Sequence, residues 1–249
     1  MSSLTISLIV LACVFGGALL GILLRAVLPS HHLSADTKDI VKLGMGLVGT
    51  MAALVLGLLV ASAKSSYDTQ SAELTQYSAN ITLLDRGLTL YGPETREIRA
   101  LLRDVVARFH DQLWSKDAAS RLAPPSAGEI LYEKIQGLSP KNDAQRSIQS
   151  QALSLVVDAG KTRLLMQEQQ ATGAVSLPLL VVLVLWLSII FISFGLYAPF
   201  NATAVGSLFL AALSVSGAIF LISEMYTPYV GLVQISDAPV RAVLANLGR

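Results

Sequence analysis

The chain has 249 residues, 53% of them apolar and 14% charged, with a formal net charge of +1. That near-neutrality offers no electrostatic footprint for nucleic acid, and a single cysteine, Cys13, excludes a disulfide within the chain. The apolar residues are segregated, with no Asp, Glu, Lys or Arg from Met1 to Leu24, from Leu43 to Ala63, or from Val175 to Ser223.

A helix of about 20 residues rises about 30 Å, the thickness of a bilayer's hydrocarbon core. A charge at its centre would cost about 2.5–3.5 kcal/mol, so these gaps in the charge pattern mark membrane spans. The sequence predicts an all-α membrane protein with four transmembrane helices in two hairpins. The first hairpin is 1–63, with spans at 4–24 and 43–63; the second is 175–223, with spans at 175–198 and 202–223. A helical extramembrane domain at 64–174 is inserted between spans two and three, and a tail follows at 224–249.

In chain order, Met1-Ser2-Ser3-Leu4-Thr5 lacks the positive n-region of a cleaved signal, so the first apolar run reads as a span. It ends near Arg25, and Pro29 with His31-His32 makes the connection. Asp36 is the expected cap of a helix that starts at Thr37 and, with no breaker after Ala63, continues beyond the second span. Tyr67, Leu74, Tyr77, Ile81, Leu84 and Leu88 then form a coiled-coil-like seam. Gly92-Pro93 stops it, and a helix from Pro93 to about Asp117 places Ile98, Leu102, Val105 and Phe109 on one face. A loop containing Pro124-Pro125, a short helix over Glu129 to Gln136, and a helix start at Ser139-Pro140 follow. A second seam, Ile148 to Met166, leads toward the third span. Residues 64–174 hold 13 basic and 13 acidic residues, a neutral and internally paired domain rather than a basic patch.

The second span carries Gly49, Ala53, Gly57 and Ala61 at four-residue spacing and ends at Lys64. Small residues so spaced let two helices approach closely, with Gly206, Ala211, Ser214, Gly217 and Ala218 of the fourth span as the natural partner set. The other reading makes the stripe the lining of a pore on an oligomer axis. Lys64 is then a ring of positive charge favouring anions, rather than an interfacial lysine that snorkels beside Tyr67. No ionisable residue lies within the four spans, which argues against a proton-coupled transporter. His31, His32 and His110 have no metal-ligand spacing, and no nucleophile has a histidine at an informative distance. Neither metal, cofactor nor enzymatic activity is expected.

Leu58 to Asp68 resembles the end of the pore-lining second helix of bestrophin channels. Leu84-Asp85-Arg86-Gly87-Leu88, then Tyr91-Gly92-Pro93-Glu94, and the tail Pro228 to Val233 with Ile235-Ser236 and Pro239-Val240-Arg241 resemble a mostly bacterial, bestrophin-like family of membrane proteins. The resemblance implies an oligomeric, passive ion channel. The bulky apolar neck of bestrophins has small residues here, and their acidic calcium-binding cluster has no counterpart beyond Glu224 and Asp237. Read physically, Tyr91-Gly92-Pro93-Glu94 is a sharp corner between helices, with Asp85 and Arg86 placed to pair with Arg96, Arg99, Arg103 or Glu97 on the returning helix.

The expectation is a homo-oligomeric, passive ion channel with anions modestly preferred, in contact with membrane lipid, its own copies and small inorganic ions. Its place is the bacterial inner (plasma) membrane, with insert and termini cytoplasmic by the count of flanking Lys and Arg. The alternative is a non-conducting scaffold or sensor whose helical insert recruits a partner.

Overall fold

The computed structural model describes residues 2–29, 34–114, 126–172 and 176–247. Every element of three residues or more among them is helical: α1 (Ser3–Val27), α2 (Ala35–Tyr91), α3 (Arg96–Trp114), α4 (Ser126–Gln136), α5 (Asp143–Thr172), α6 (Leu177–Tyr197), α7 (Ala202–Met225) and α8 (Ala238–Asn246). A single 3-10 turn, Pro93–Thr95, joins α2 to α3. His31, His32 and Pro124-Pro125 lie outside the described residues.

Helix ends follow local chemistry. Ser2 caps α1 by accepting from the Thr5 amide, and Asn201 caps α7 by accepting from the Ala204 amide. At α2 the cap is Ser34, whose hydroxyl accepts from the Thr37 amide at 3.4 Å; Asp36 falls in the first turn instead of capping it. At α5 the start lies beyond Ser139-Pro140, because Asn142 and Gln145 form a reciprocal cap. The Asn142 side chain accepts from the Gln145 amide at 2.8 Å, and the Gln145 side chain accepts from the Lys141 amide at 2.7 Å. α2 runs unbroken for 57 residues, as the lack of a breaker after Ala63 requires.

The described helices fall into two compact units, each with its own core. One comprises α1, α2 as far as Ser66, α6 and α7. Here α1 and α6 run parallel with their backbones in contact. A β-carbon on Gly21 would stand 2.0 Å from the Ile192 carbonyl oxygen, and one on Gly195 would stand 2.0 Å from that of Ala18. Helices in lipid associate through such close approach because the surrounding acyl chains give apolar side chains no hydrophobic reason to pair. α7 crosses α1 in the opposite sense, fixed by a buried hydrogen bond from the Ser216 hydroxyl to the Ser7 carbonyl (2.6 Å) and an edge-on Phe15–Phe209 contact. α2 joins this core through Ala52, Leu59 and Ala63.

The other unit comprises α2 from Tyr67, α3, α4, α5 and the segment from Thr227 through α8. Its core gathers the first seam (Leu74, Tyr77, Ile81, Leu84, Leu88), the second (Ala152, Ala159, Met166), α3 through Leu102 and Phe109, and the tail through Tyr229, Ile235 and Val240. The seams thus bury their faces within one chain, and the tail shares that core instead of standing apart.

Candidate functional site

On the membrane part of α2, the small residues sit away from the face that packs. At about 100° per residue, Gly57 and Ala61 lie about 120–180° round the helix from the buried Ala52, Leu59 and Ala63. Ala53 and Lys64 are about 80–140° away and Gly49 about 40–80°. Ala53, Gly57, Ala61 and Lys64 are exposed, and Gly49 is half-buried in a groove beside α6. A β-carbon at Gly49 or Gly57 would meet nothing within 4 Å. On the fourth span, Gly206 and Gly217 are equally open, and Ala211 and Ser214 are exposed. Within the chain, then, the glycines of these two sets touch no other helix; the span glycines in tight contact are Gly17 and Gly21 on α1 and Gly195 on α6. On α2 large apolar side chains stand exposed beside the stripe, Leu54 at 67% and Leu58 at 62%, a surface suited to lipid or another copy of the chain.

The corner after α2 is held from several sides. Gly92 adopts φ 139°, ψ −179°, a backbone region nearly confined to glycine. Thr95 donates its hydroxyl to the Leu88 carbonyl at 2.6 Å, closing the end of α2. The Gln145 side chain donates to the Tyr91 carbonyl at 2.8 Å, and Lys141 pairs with Glu94 at 2.9 Å, so the start of α5 braces the corner. That pairing holds the Glu94 carboxyl below its usual range and raises the Lys141 ammonium. Tyr91 is buried, which pushes its phenol up, aided by the nearby Glu94 charge. Of the charge pairings expected from Asp85 and Arg86, the structure forms one: Arg99 donates to both Asp85 oxygens, at 2.7 and 3.2 Å, with each side chain 16% exposed. Arg86 points to the surface. Tyr67 donates its hydroxyl to the Gln234 carbonyl at 3.2 Å, tying the tail to α2. These contacts give Tyr67, Asp85, Tyr91, Gly92 and Glu94 a place in the packing of the corner and tail.

The tail is fastened to α3 by His110 and Trp114, which no motif announced. His110 stacks on Trp114, and its two ring nitrogens lie 3.2 Å from Asp111 and Asp237. The Trp114 indole donates to the Ile235 carbonyl at 3.2 Å and meets Tyr229 edge-on. Only the last-turn position of His110 and Trp114 on one face of α3, four residues apart, hinted at this in sequence. Among the described residues no group of three or more His, Cys, Asp and Glu is assembled as a metal site.

Four helices long and apolar enough to cross a bilayer, two of them, α1 and α6, in glycine-mediated backbone contact, define an integral membrane protein. Its family follows from a match to the bestrophin-like domain over residues 12–240: the chain belongs to the bestrophin-like family. No curated protein and no solved structure matches it.

Proposed function

We propose that this protein is a homo-oligomeric, passive ion channel of bestrophin-like type, with anions preferred and α2 nearest the axis. The spans form two hairpins enclosing the helical insert, in a bacterial plasma membrane with insert and termini cytoplasmic. One observation carries the reading: the Gly57–Ala61 face of α2 points away from its own protomer's core and leads to exposed Lys64. Small side chains on such a face leave room for a permeation path when copies surround an axis. A cation at its end stabilises anions there.

The test is flux from liposomes, or bilayer recording, under asymmetric KCl with purified protein. Selective currents abolished by Gly57→Leu are expected, and Lys64→Gln is expected to move the reversal potential toward that of a non-selective pore. Current unchanged by Gly57→Leu removes that residue from the path, and an unaltered reversal potential removes Lys64 from the filter.

A second reading, a sensor whose insert takes a partner, draws support from the insert itself. A cavity of about 260 Å³ lies among Tyr77, Leu84, Leu102, Leu131 and Arg163, with Val157 and Leu164 at its lining more than half exposed. Silent, well-folded protein that captures a partner through residues 64–174 would favour it.

A further inference from the structure

Between the first turns of α2 and the last turns of α6 runs a groove of about 490 Å³ that helix packing leaves open. Its walls are Met45, Ile190 and Phe194, and its floor is the backbone at Gly46 and Gly49, where a β-carbon would meet nothing within 4 Å. In the same unit, glycines at 17, 21 and 195 bring helix backbones into contact. Here glycines make a trough instead.

One end of the trough is charged. Lys38 and Lys42 line it, with the Lys38 ammonium 5.8 Å from the centre of the Tyr197 ring. Asp39 lies 3.7 Å from Lys42 in a pair whose members are both mostly exposed, and Asp36 is in the first turn of α2. Arg25 stands at the same level but donates to the Ala198 carbonyl. From Lys38 to Gly49 α2 rises about 16 Å, close to half the thickness of a hydrocarbon core. Cations and a tyrosine thus sit where headgroups lie, and an apolar channel descends from them one leaflet deep.

We propose that this groove is a binding site for an anionic phospholipid, with the phosphate between Lys38 and Lys42 and an acyl chain lying along Gly46 and Gly49 against Ile190 and Phe194. Two cations select an anionic headgroup, and the apolar trough selects a lipid over a soluble anion. The site is separate from the Gly57–Ala61 face and does not depend on conduction.

Protein purified from membranes is exchanged into mixed micelles of equal phosphatidylglycerol and phosphatidylcholine, and retained lipid is counted by native mass spectrometry. Phosphatidylglycerol should be enriched at least about fivefold, the effect of one basic residue near an anionic headgroup. Lys38→Gln with Lys42→Gln should bring the enrichment close to one. Gly49→Leu should lower retention of both lipids, with Gly46→Ala as a milder filling of the trough if the larger side chain disturbs folding. Absent enrichment, or enrichment that survives the lysine changes, overturns the proposal. Displacement of the lipid by excess inorganic phosphate overturns it too, by reducing the site to an anion patch. In a Cys13→Ser background, a disulfide between copies carrying Phe194→Cys, formed with lipid present, would overturn it by placing a second chain in the groove.

Discussion

Gly21 should tolerate no side chain, and the structure sets the size of the effect. Ordinary contact begins at about 3.4 Å, whereas a methyl on Gly21 would stand 2.0 Å from the Ile192 oxygen and 2.8 Å from the Leu196 nitrogen. Both are backbone atoms on α6, so no rotamer change relieves the overlap. α1 and α6 must separate by about 1.4 Å at this point. A gap of 0.5–1 Å forfeits roughly a quarter to a half of each dispersion contact across the seam, and overpacking of this kind costs about 1–3 kcal/mol. Taking about 3 kcal/mol for a backbone-to-backbone clash and returning at most about 1 for alanine's helix propensity leaves a net loss of about 2 kcal/mol. At about 2–4 °C per kcal/mol, the Tm of Gly21→Ala falls by about 4–8 °C. The assay is thermal unfolding in detergent micelles, followed by tryptophan fluorescence, beside Gly44→Ala and Gly57→Ala, where the added methyl meets nothing within 4 Å. Those two should melt at or slightly above the parent temperature. If Gly21→Ala melts with them, the α1–α6 contact does not exist in the folded protein.

Gly92→Ala should cost about 2 kcal/mol through backbone strain at φ 139°; because the cause is the backbone, adding Glu94→Ala should recover little, and full recovery would assign the cost instead to the Glu94 carboxylate, which would stand 2.5 Å from the new β-carbon. Asp85→Asn and Arg99→Ala should each lose about 2 kcal/mol, with a double-mutant cycle in denaturant giving a coupling above about 1 kcal/mol; additive losses would show that the pair is decorative. Burial alone would push the Asp237 carboxyl up, but its hydrogen bond to His110 and the Arg241 charge outweigh this and hold it below its usual 3.8. A carboxyl lowered by folding contributes stability above its unfolded pKa and loses that contribution as pH falls through the folded value. Trp114 fluorescence, read in a Trp186→Phe background, should therefore change on acidification below about pH 4, and the same profile in Asp237→Asn would show that Asp237 does not hold the tail to His110.

Much of this architecture was legible in the sequence because its determinants are local. The absence of charge over Leu43 to Ala63 and Val175 to Ser223 dictates spans, and the structure has helices through the first and at Leu177–Tyr197 and Ala202–Met225 in the second. Gly92-Pro93 dictates a break, since one residue admits the unusual backbone and the other starts a helix. Caps were less legible: Asn142 and Gln145 carry the spacing of a reciprocal cap, and the proline two residues upstream drew the helix start to itself.

What the sequence by itself determined is which segments are helical, which are long and apolar enough to cross a membrane, and where the long second helix must stop. Only the tertiary structure decided which glycines touch another helix. Inside a bilayer every face of a span is apolar, so no period in hydrophobicity separates the lipid-facing side from the protein-facing side. Gly57 on α2 and Gly21 on α1 look alike in a run of apolar residues, yet one faces open space and the other the backbone of α6. The same holds for charge in the unit that begins at Tyr67. Asp85 had several basic residues within reach by spacing, and selecting Arg99 required the angle at which the chain returns from Gly92. The fastening of the tail was beyond local reading, because Trp114 and Ile235 are separated by 121 positions and meet only in the folded core of their unit.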